Sequence, residues 1–382
     1  MKRVVLLVDD QPFVAEALSV MLAGAPELEL AYCSDARQAV ARAKALSASV
    51  ILQDLVMPDG DGIELLAAYR REPALVDVPV VMLSAREEPE VKARAFAAGA
   101  NDYIVKLPDQ VELVARLTYH SRAHAALVGR SQAFRELQAS QAELAEELRR
   151  AARYVEGLLP ERISSPVRAD WRFVPSAELG GDFLGYHAID DDHFALYVVD
   201  VSGHGVGPGL LSVQVSNHLR SQSAPGVDFR RPSDVLAHLN LAFPMERNDS
   251  LYFTAWYGVF RHATRTLAWA VGAHPPAVLV TPSSLAPIEL EADGGMLGLS
   301  PEMTFETRSL VVPEGSALYV FSDGAYEVTD VNGVVGDYDD FVLRVAAEER
   351  LSDEPLDALL AAARARRGGN LEDDVSLLRI EL

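Results

Sequence analysis

The first part of the chain alternates short, mainly apolar runs with stretches whose apolar positions recur every three or four residues. Residues 4–8, 28–33, 50–52, 78–83 and 103–105 are the apolar runs, and they predict strands. Residues 12–22, 36–46, 62–71 and 88–98 carry helical spacing. Continuous apolar strands separated by helices predict a five-stranded parallel sheet covered on both faces, a doubly wound α/β domain. Between residues 116 and 159 there is no proline, and only Gly129 and Gly157 interrupt the helix formers. There Phe134, Leu137, Gln141, Leu144, Leu148, Ala151, Val155 and Leu158 repeat at 3–4 spacing over about three and a half heptads. This predicts a helical linker that pairs with a second copy as a coiled coil or lays its stripe on one of its own domains. From residue 161 the pattern is richer in strands. Residues 194–199, 251–260, 266–271, 277–280, 316–321 and 375–380 read as strands, and 209–221, 232–243, 339–347 and 355–366 as helices. The turn at residues 261–265 between two strands favours antiparallel pairing, hence an α+β domain with a β-sandwich flanked by helices. The expected organisation is therefore multidomain: residues 1–120, a linker at 121–160, and residues 161–382.

Composition narrows the function classes. The 382 residues carry 34 basic and 56 acidic side chains, a net charge of −22. A chain so acidic is repelled by phosphate backbones and anionic lipid, so neither nucleic acid nor membrane is an expected partner. No helix-turn-helix pattern follows the first domain. Cys33 is the one cysteine, which excludes an intrachain disulfide and a cysteine zinc site and suits a reducing, cytoplasmic setting. The apolar run at residues 4–8 is too short for a signal-peptide core. No apolar stretch approaches the about 18 residues of a membrane span.

In parallel sheets the site lies at the carboxyl ends of the strands. The polar residues there are Asp9 and Asp10, Asp54, Ser84 and Lys106. Three gathered carboxylates repel unless a cation sits among them, and a lysine and a hydroxyl beside them suit an added phosphoryl group. Over residues 1–120 the chain resembles the receiver domain of two-component response regulators, which has a flavodoxin-like fold. The resemblance rests on Asp9-Asp10, Asp54 within Asp54-Leu55-Val56-Met57-Pro58-Asp59-Gly60, Ser84-Ala85, Gly99-Ala100-Asn101-Asp102-Tyr103 and Lys106. It implies that Asp54 accepts the phosphoryl group from a sensor histidine kinase. It implies further that Asp9, Asp10, Asp54 and the Val56 carbonyl hold Mg²⁺, that Ser84 and Lys106 contact the phosphoryl group, and that Tyr103 is the aromatic switch. One departure stands out: proline usually follows the lysine directly, whereas here the run is Lys106-Leu107-Pro108. That stretch, with Tyr119-His120-Ser121-Arg122, looks like the receivers of some diguanylate cyclases.

Four short acidic motifs mark the C-terminal half. They are Gly180-Gly181-Asp182-Phe183, Asp200-Val201-Ser202-Gly203-His204-Gly205, Ser322-Asp323-Gly324 and Glu372-Asp373-Asp374-Val375-Ser376. Any one alone is an ordinary turn. Together, at strand ends, they are what hard divalent cations need, and two such ions can activate a water for phosphoryl hydrolysis. With Phe253-Thr254-Ala255 and Gly272-Ala273-His274-Pro275-Pro276, these motifs resemble the PPM metal-dependent serine/threonine phosphatases. The nearest branch is the bacterial one of the stage II sporulation phosphatase and stress-response sigma regulators, over residues 155–382. The resemblance implies two Mn²⁺ or Mg²⁺ ions held by Asp182, Asp200, the Val201 carbonyl, Asp323 and Asp373, with no covalent enzyme intermediate. His204 would assist leaving-group protonation or only shape its loop. Asp374 is a lesser candidate, and His274 reads as structural.

The function implied is a response regulator whose output is a phosphoprotein phosphatase. The branch points to a STAS-type anti-sigma-factor antagonist as substrate, and the linker to a homodimer. The alternative is a non-enzymatic adaptor that uses the same fold to bind a sigma factor or its regulator. Intact aspartates favour the enzyme.

Overall fold

The computed structural model describes residues 2–176 and 179–382. The chain divides into two compact units, residues 1–142 and 143–382. The first begins β1 (Arg3–Val8), α1 (Pro12–Leu22), β2 (Leu28–Cys33), α2 (Ala39–Ala45), β3 (Val50–Asp54) and α3 (Gly62–Arg71). It continues β4 (Val80–Ser84), α4 (Pro89–Ala97), β5 (Asp102–Val105) and α5 (Gln110–Glu156). The strands form a parallel sheet in the order β2-β1-β3-β4-β5, as the apolar runs predict. Alternate β1 side chains enter opposite cores. Val5 and Leu7 pack with Leu18 and Leu113, while Leu6 and Val8 pack with Leu66 and Tyr69. Both faces of the central strands are buried, so β1, β3 and β4 are apolar within, apart from Gln53, which accepts from the Tyr69 hydroxyl at 2.8 Å, and Asp9, Asp54, Ser84 and Lys106 emerge at the carboxyl ends of the sheet.

Helix α5 runs for 47 residues, and its buried side chains are Leu113, Leu117 and Ser121. The first part of the linker stripe beyond them is open to solvent, with Phe134 58%, Leu137 55% and Leu144 58% exposed, while Leu148, Val155 and Leu158 are half-buried.

The second unit contains β6 (Arg168–Val174), β7 (Asp182–Ala188), β8 (His193–Val201), α6 (Val206–Ser221), α7 (Pro232–Ala242), β9 (Phe253–Arg261) and β10 (Thr266–Gly272). There follow β11 (Ala277–Val280), β12 (Ile288–Leu290), β13 (Arg308–Val311), β14 (Ala317–Phe321), α8 (Tyr338–Leu351), α9 (Pro355–Arg367) and β15 (Val375–Glu381). One antiparallel sheet runs β13-β10-β9-β8-β7 and the other β12-β11-β14-β15-β6. Strand periodicity places every layer. Leu196 and Val198 of β8 meet Leu318 and Val320 of β14 and Leu378 and Ile380 of β15 between the sheets. The alternate residues Tyr197 and Val199 pack under α6 and α7, and Tyr319 and Phe321 under α8 and α9. The result is the helix-flanked β-sandwich.

Four strands, β6, β7, β12 and β13, lie outside the predicted runs. In β6 the charged Arg168, Asp170 and Arg172 interrupt the apolar residues. Arg172 pairs with Asp357 of α9 at 2.6 Å, a contact that local pattern cannot show. Strands β12 and β13 have three and four residues and are largely exposed.

Candidate active sites

The first unit gathers its polar residues where the sequence predicts. Asp9, Asp10 and Asp54 each offer a carboxylate oxygen within 4.8 Å of the others'. Among the described residues they are the one such set of three possible metal-binding side chains. Lys106 Nζ lies 2.8 Å from Asp9 Oδ2 and 2.8 Å from Asp54 Oδ2, so its ammonium neutralises part of the cluster. Burial pushes the Asp54 carboxyl up, while Lys106 pulls the other way and Asp9 adds to the rise. One oxygen of Asp10, Oδ1, is buried without a hydrogen-bond partner, a site left open for a cation. The extra residue before Pro108 does not displace the lysine. Lys106 N donates to Ser84 O at 2.9 Å, extending the strand register through that position.

Val56 opens a two-residue ribbon with Gly60–Asp61, which folds the backbone back just after Asp54. Ser84 is buried, and its Oγ accepts from Arg86 N at 3.1 Å. Tyr103 is turned inward and donates its hydroxyl to Arg86 O at 2.7 Å. Ser84 and Tyr103 thus meet on one short segment, residues 84–86.

In the second unit the aspartates come from both sheets. Asp182 opens β7 and faces Asp200 of β8 as its antiparallel partner. The two preceding glycines are there for space. A Cβ on Gly181 would lie 2.5 Å from Val201 O, and one on Gly180 would lie 2.6 Å from Asp374 Oδ2. Asp323 begins the 3₁₀ turn that follows β14, and Asp373 stands two residues ahead of β15. Two serines hold those ends together. Ser322 Oγ accepts from Ser376 N at 3.0 Å and donates to Asp374 O at 3.2 Å, while Ser322 N donates to Ser376 O at 3.1 Å.

The carboxylates feel one another strongly. Burial, then Asp200 and Asp374, push Asp182 well above the usual carboxylate range, and its Oδ2 is buried without a partner. Asp200 is pushed up to about 7 by burial, then by Asp323, Asp373 and Asp374. Asp323 is pushed up to about 6 by burial, then by Asp373 and Glu327. Such mutual repulsion is what divalent cations relieve, so the donor set fits the ions that the motifs imply. The four aspartates are not gathered as tightly as Asp9, Asp10 and Asp54. Ligands shared between two ions ~3.5–4 Å apart need not converge on a point.

Asp374 has a different place from its neighbour. It is buried, with Oδ1 accepting from Ser176 N at 2.7 Å and Ser176 Oγ at 2.9 Å, and Oδ2 from Gly181 N at 2.6 Å. It brackets the backbone that presents Asp182. Ser322, Ser376 and Asp374 all lie inside the acidic motifs, but sequence reasoning assigned no role to the serines. His204 is exposed on the loop between β8 and α6, and among the described residues no hydrogen bond or ion pair ties it to the aspartates. His274 is buried, with Nδ1 2.8 Å from Thr254 Oγ1, and burial lowers it to about 3, so it is neutral.

With both sites described, comparison with known proteins is informative. Residues 190–382 match the family model of stage II sporulation protein E, and residues 5–118 that of the response regulator receiver domain. Phosphoserine phosphatase RsbP of Bacillus subtilis (strain 168) is 26% identical over 168 residues, 44% of this chain and 41% of that protein. Phosphoserine phosphatase RsbU of the same organism is 25% identical over 213 residues, 54% of this chain and 62% of that protein. The chain thus spans less than two thirds of either relative. The SiaA-PP2C domain of Pseudomonas aeruginosa shares the fold, with a TM-score of 0.57 and 20% identity over 64% of this chain and 99% of that one.

Proposed function

Because the chain belongs to the stage II sporulation protein E family and carries an N-terminal response regulator receiver domain, we propose that it is a metal-dependent phosphoserine/phosphothreonine protein phosphatase governed by phosphorylation of Asp54. The observation that carries this reading is the set of mutually repelling, largely buried carboxylates of Asp182, Asp200 and Asp323, with Asp373 beside them. An adaptor that only bound a partner would have no use for so unfavourable a cluster. The names of the two Bacillus subtilis relatives support phosphoserine as the substrate group. A STAS-type anti-sigma-factor antagonist is the proposed phosphoprotein.

Asp182, Asp200, Asp323, Asp373 and the Val201 carbonyl are the proposed ligands of two Mn²⁺ or Mg²⁺ ions. When bound, these ions supply the Lewis acidity that activates water and offsets charge on the phosphoryl oxygens. The chain's own part is to fix the ligands: Asp374 and the glycine pair set Asp182, and the serine pair sets Asp323 beside Asp373. His204, exposed at the adjoining loop, is the proposed proton donor to the leaving serine oxygen. In the first unit Asp54 is the proposed phosphoacceptor, fed by a sensor histidine kinase. Asp9, Asp10 and the Val56 carbonyl hold Mg²⁺ with it, Ser84 and Lys106 receive the phosphoryl oxygens, and Tyr103 reports the change. The open stripe of α5 supports pairing with a second copy. The proposed division is a receiver at 1–120, a linker at 121–160 and a phosphatase at 161–382. No helix among the described residues is long and apolar enough to cross a membrane, and a cytoplasmic setting is proposed.

The test is Mn²⁺-dependent hydrolysis of p-nitrophenyl phosphate by the wild type and Asp200→Ala. Metal-dependent turnover that the substitution removes is expected; equal, metal-independent rates would reject the enzyme. Repeating it with beryllofluoride, alongside sedimentation, reads the coupling. An unchanged rate and an unchanged oligomer would reject control through Asp54 and α5.

A further inference from the structure

The turn that begins at Asp323 leads directly into a projecting loop. Val328 O accepts from Gly336 N at 3.1 Å, Asp330 N donates to Val334 O at 2.9 Å, and Gly333 N donates to Asp330 O at 3.0 Å. Helix α9 fastens this loop from below. Arg366 donates from Nε to Val328 O at 2.8 Å and from its guanidinium to Val334 O at 3.1 Å. Arg367 reaches Thr329 O and also pairs with Glu372, the neighbour of Asp373. The first limb of the loop therefore follows the Asp323 turn and is tied through Arg367 to the segment before Asp373, while Arg366 clasps the two limbs together.

Its tip, residues 331–336, reads Val-Asn-Gly-Val-Val-Gly and carries no charge. Val331 is 78% exposed, Val334 57% and Val335 54%. A cleft of about 360 Å³ lies beside it, with Tyr326, Val328, Phe341 and Arg366 in its wall. Three bare valines on a well-anchored loop mark an interaction surface rather than a slack surface turn. Charge indicates what kind of contact is made there. A phosphorylated protein brings a near-dianionic group towards a chain of net charge −22. Long-range electrostatics oppose that encounter, and metal ions would attract only the phosphoryl group, so added affinity for the rest of a protein substrate is best supplied by apolar burial on a surface that loses little entropy when it is covered.

We infer that Val331, Val334 and Val335 form the docking knuckle for the folded phosphoprotein substrate, which presents an apolar patch beside its phosphoserine. The inference rests on the phosphatase reading above. The knuckle selects intact protein over small esters and short peptides without touching the reacting atoms.

The test compares three substrates at saturating Mn²⁺: p-nitrophenyl phosphate, a phosphoserine STAS-domain protein, and a short peptide spanning the same phosphosite. The variants are Val331→Ser/Val334→Ser/Val335→Ser and Arg366→Ala, the second releasing the loop from its anchor. The wild type is expected to prefer protein to peptide in kcat/KM. The triple variant is expected to lose at least about tenfold of that preference, as expected when valine burial is removed, while hydrolysing the ester at the wild-type rate. Arg366→Ala is expected to fall between. A wild type that treats protein and peptide alike, or a triple variant that keeps the preference, overturns the inference. So does a triple variant that changes self-association instead, which would assign the knuckle to a second copy of the chain. Failure of the wild type on all three substrates, the ester included, would sink the phosphatase reading itself and is recognisable as such.

Discussion

Replacing Asp374 by asparagine tests whether its carboxylate is a bracket or a ligand. Asparagine keeps the size but offers one acceptor oxygen. If that oxygen stays with Ser176 N and Oγ, its NH₂ group confronts Gly181 N, which now donates to Asp374 Oδ2 at 2.6 Å. The lost bond is charge-assisted and buried, a term of ~1.5–3 kcal/mol. Removing the charge also relieves Asp182 and Asp200, both of which Asp374 pushes upward, and this offsets part of the loss. The net expectation is a destabilisation of about 2 kcal/mol. All three tryptophans, Trp171, Trp256 and Trp269, lie in the second unit, so their fluorescence follows that unit alone. With a urea slope of about 2 kcal/mol per molar, the midpoint falls by about 1 M. Because Gly181 precedes Asp182, the half-saturating Mn²⁺ concentration should rise several-fold, and high Mn²⁺ should recover most of the rate. An unchanged midpoint together with activity lost at every Mn²⁺ concentration would refute the bracket and make Asp374 a ligand.

Gly181→Ala places a methyl group 2.5 Å from Val201 O and 3.1 Å from Gly203 O, so backbone has to yield. Displacing Asp182 or Val201 should lower Mn²⁺-dependent ester hydrolysis by about 10²-fold or more, with a lower unfolding temperature in the same preparation. Lys106→Met removes the ammonium 2.8 Å from both Asp9 and Asp54. The first unit should lose stability in chelator and regain more of it with Mg²⁺ than the wild type does, as circular dichroism melts would show. Asp54→Asn should abolish hydroxylamine-labile labelling from acetyl phosphate while leaving far-ultraviolet circular dichroism intact. His187 is largely buried with neither ring nitrogen hydrogen-bonded, and burial lowers it to about 4. The unfolded chain therefore takes up that proton first. Stability present above pH ~6.5 is lost as pH falls towards 4, at up to about 1.4 kcal/mol per pH unit. His187→Phe should flatten that part of the pH profile of tryptophan-monitored unfolding.

The first unit is legible because both faces of its sheet are buried. Its central strands are nearly unbroken apolar runs, and the polar residues that gather at their ends, Asp9, Asp54, Ser84 and Lys106, are the candidate site. The second unit is only half legible. Strands such as β8, β9 and β14 are covered on both faces and stand out. Strand β6 does not, since Arg168, Asp170 and Arg172 look like a loop until the partners of Arg172 are known. Tyr103 was readable as a site residue from its Asn101-Asp102-Tyr103 setting, but its hydroxyl bond to Arg86 O was not.

The sequence by itself marked the candidates for chemistry: acidic side chains beside glycines, at the ends of apolar runs, are costly enough to point to cations. Only the tertiary structure decided how neighbouring acids divide the work. Asp373 and Asp374 are adjacent and alike in pattern. Successive residues entering a strand face opposite ways, so one stays exposed while the other turns inward to hold Ser176 and Gly181, 198 and 193 residues away. Contacts at that separation leave no period in the chain, and the pairing of Asp182 with Asp200 across β7 and β8 becomes a candidate site only when β14 and β15 bring up Asp323 and Asp373 from the other sheet.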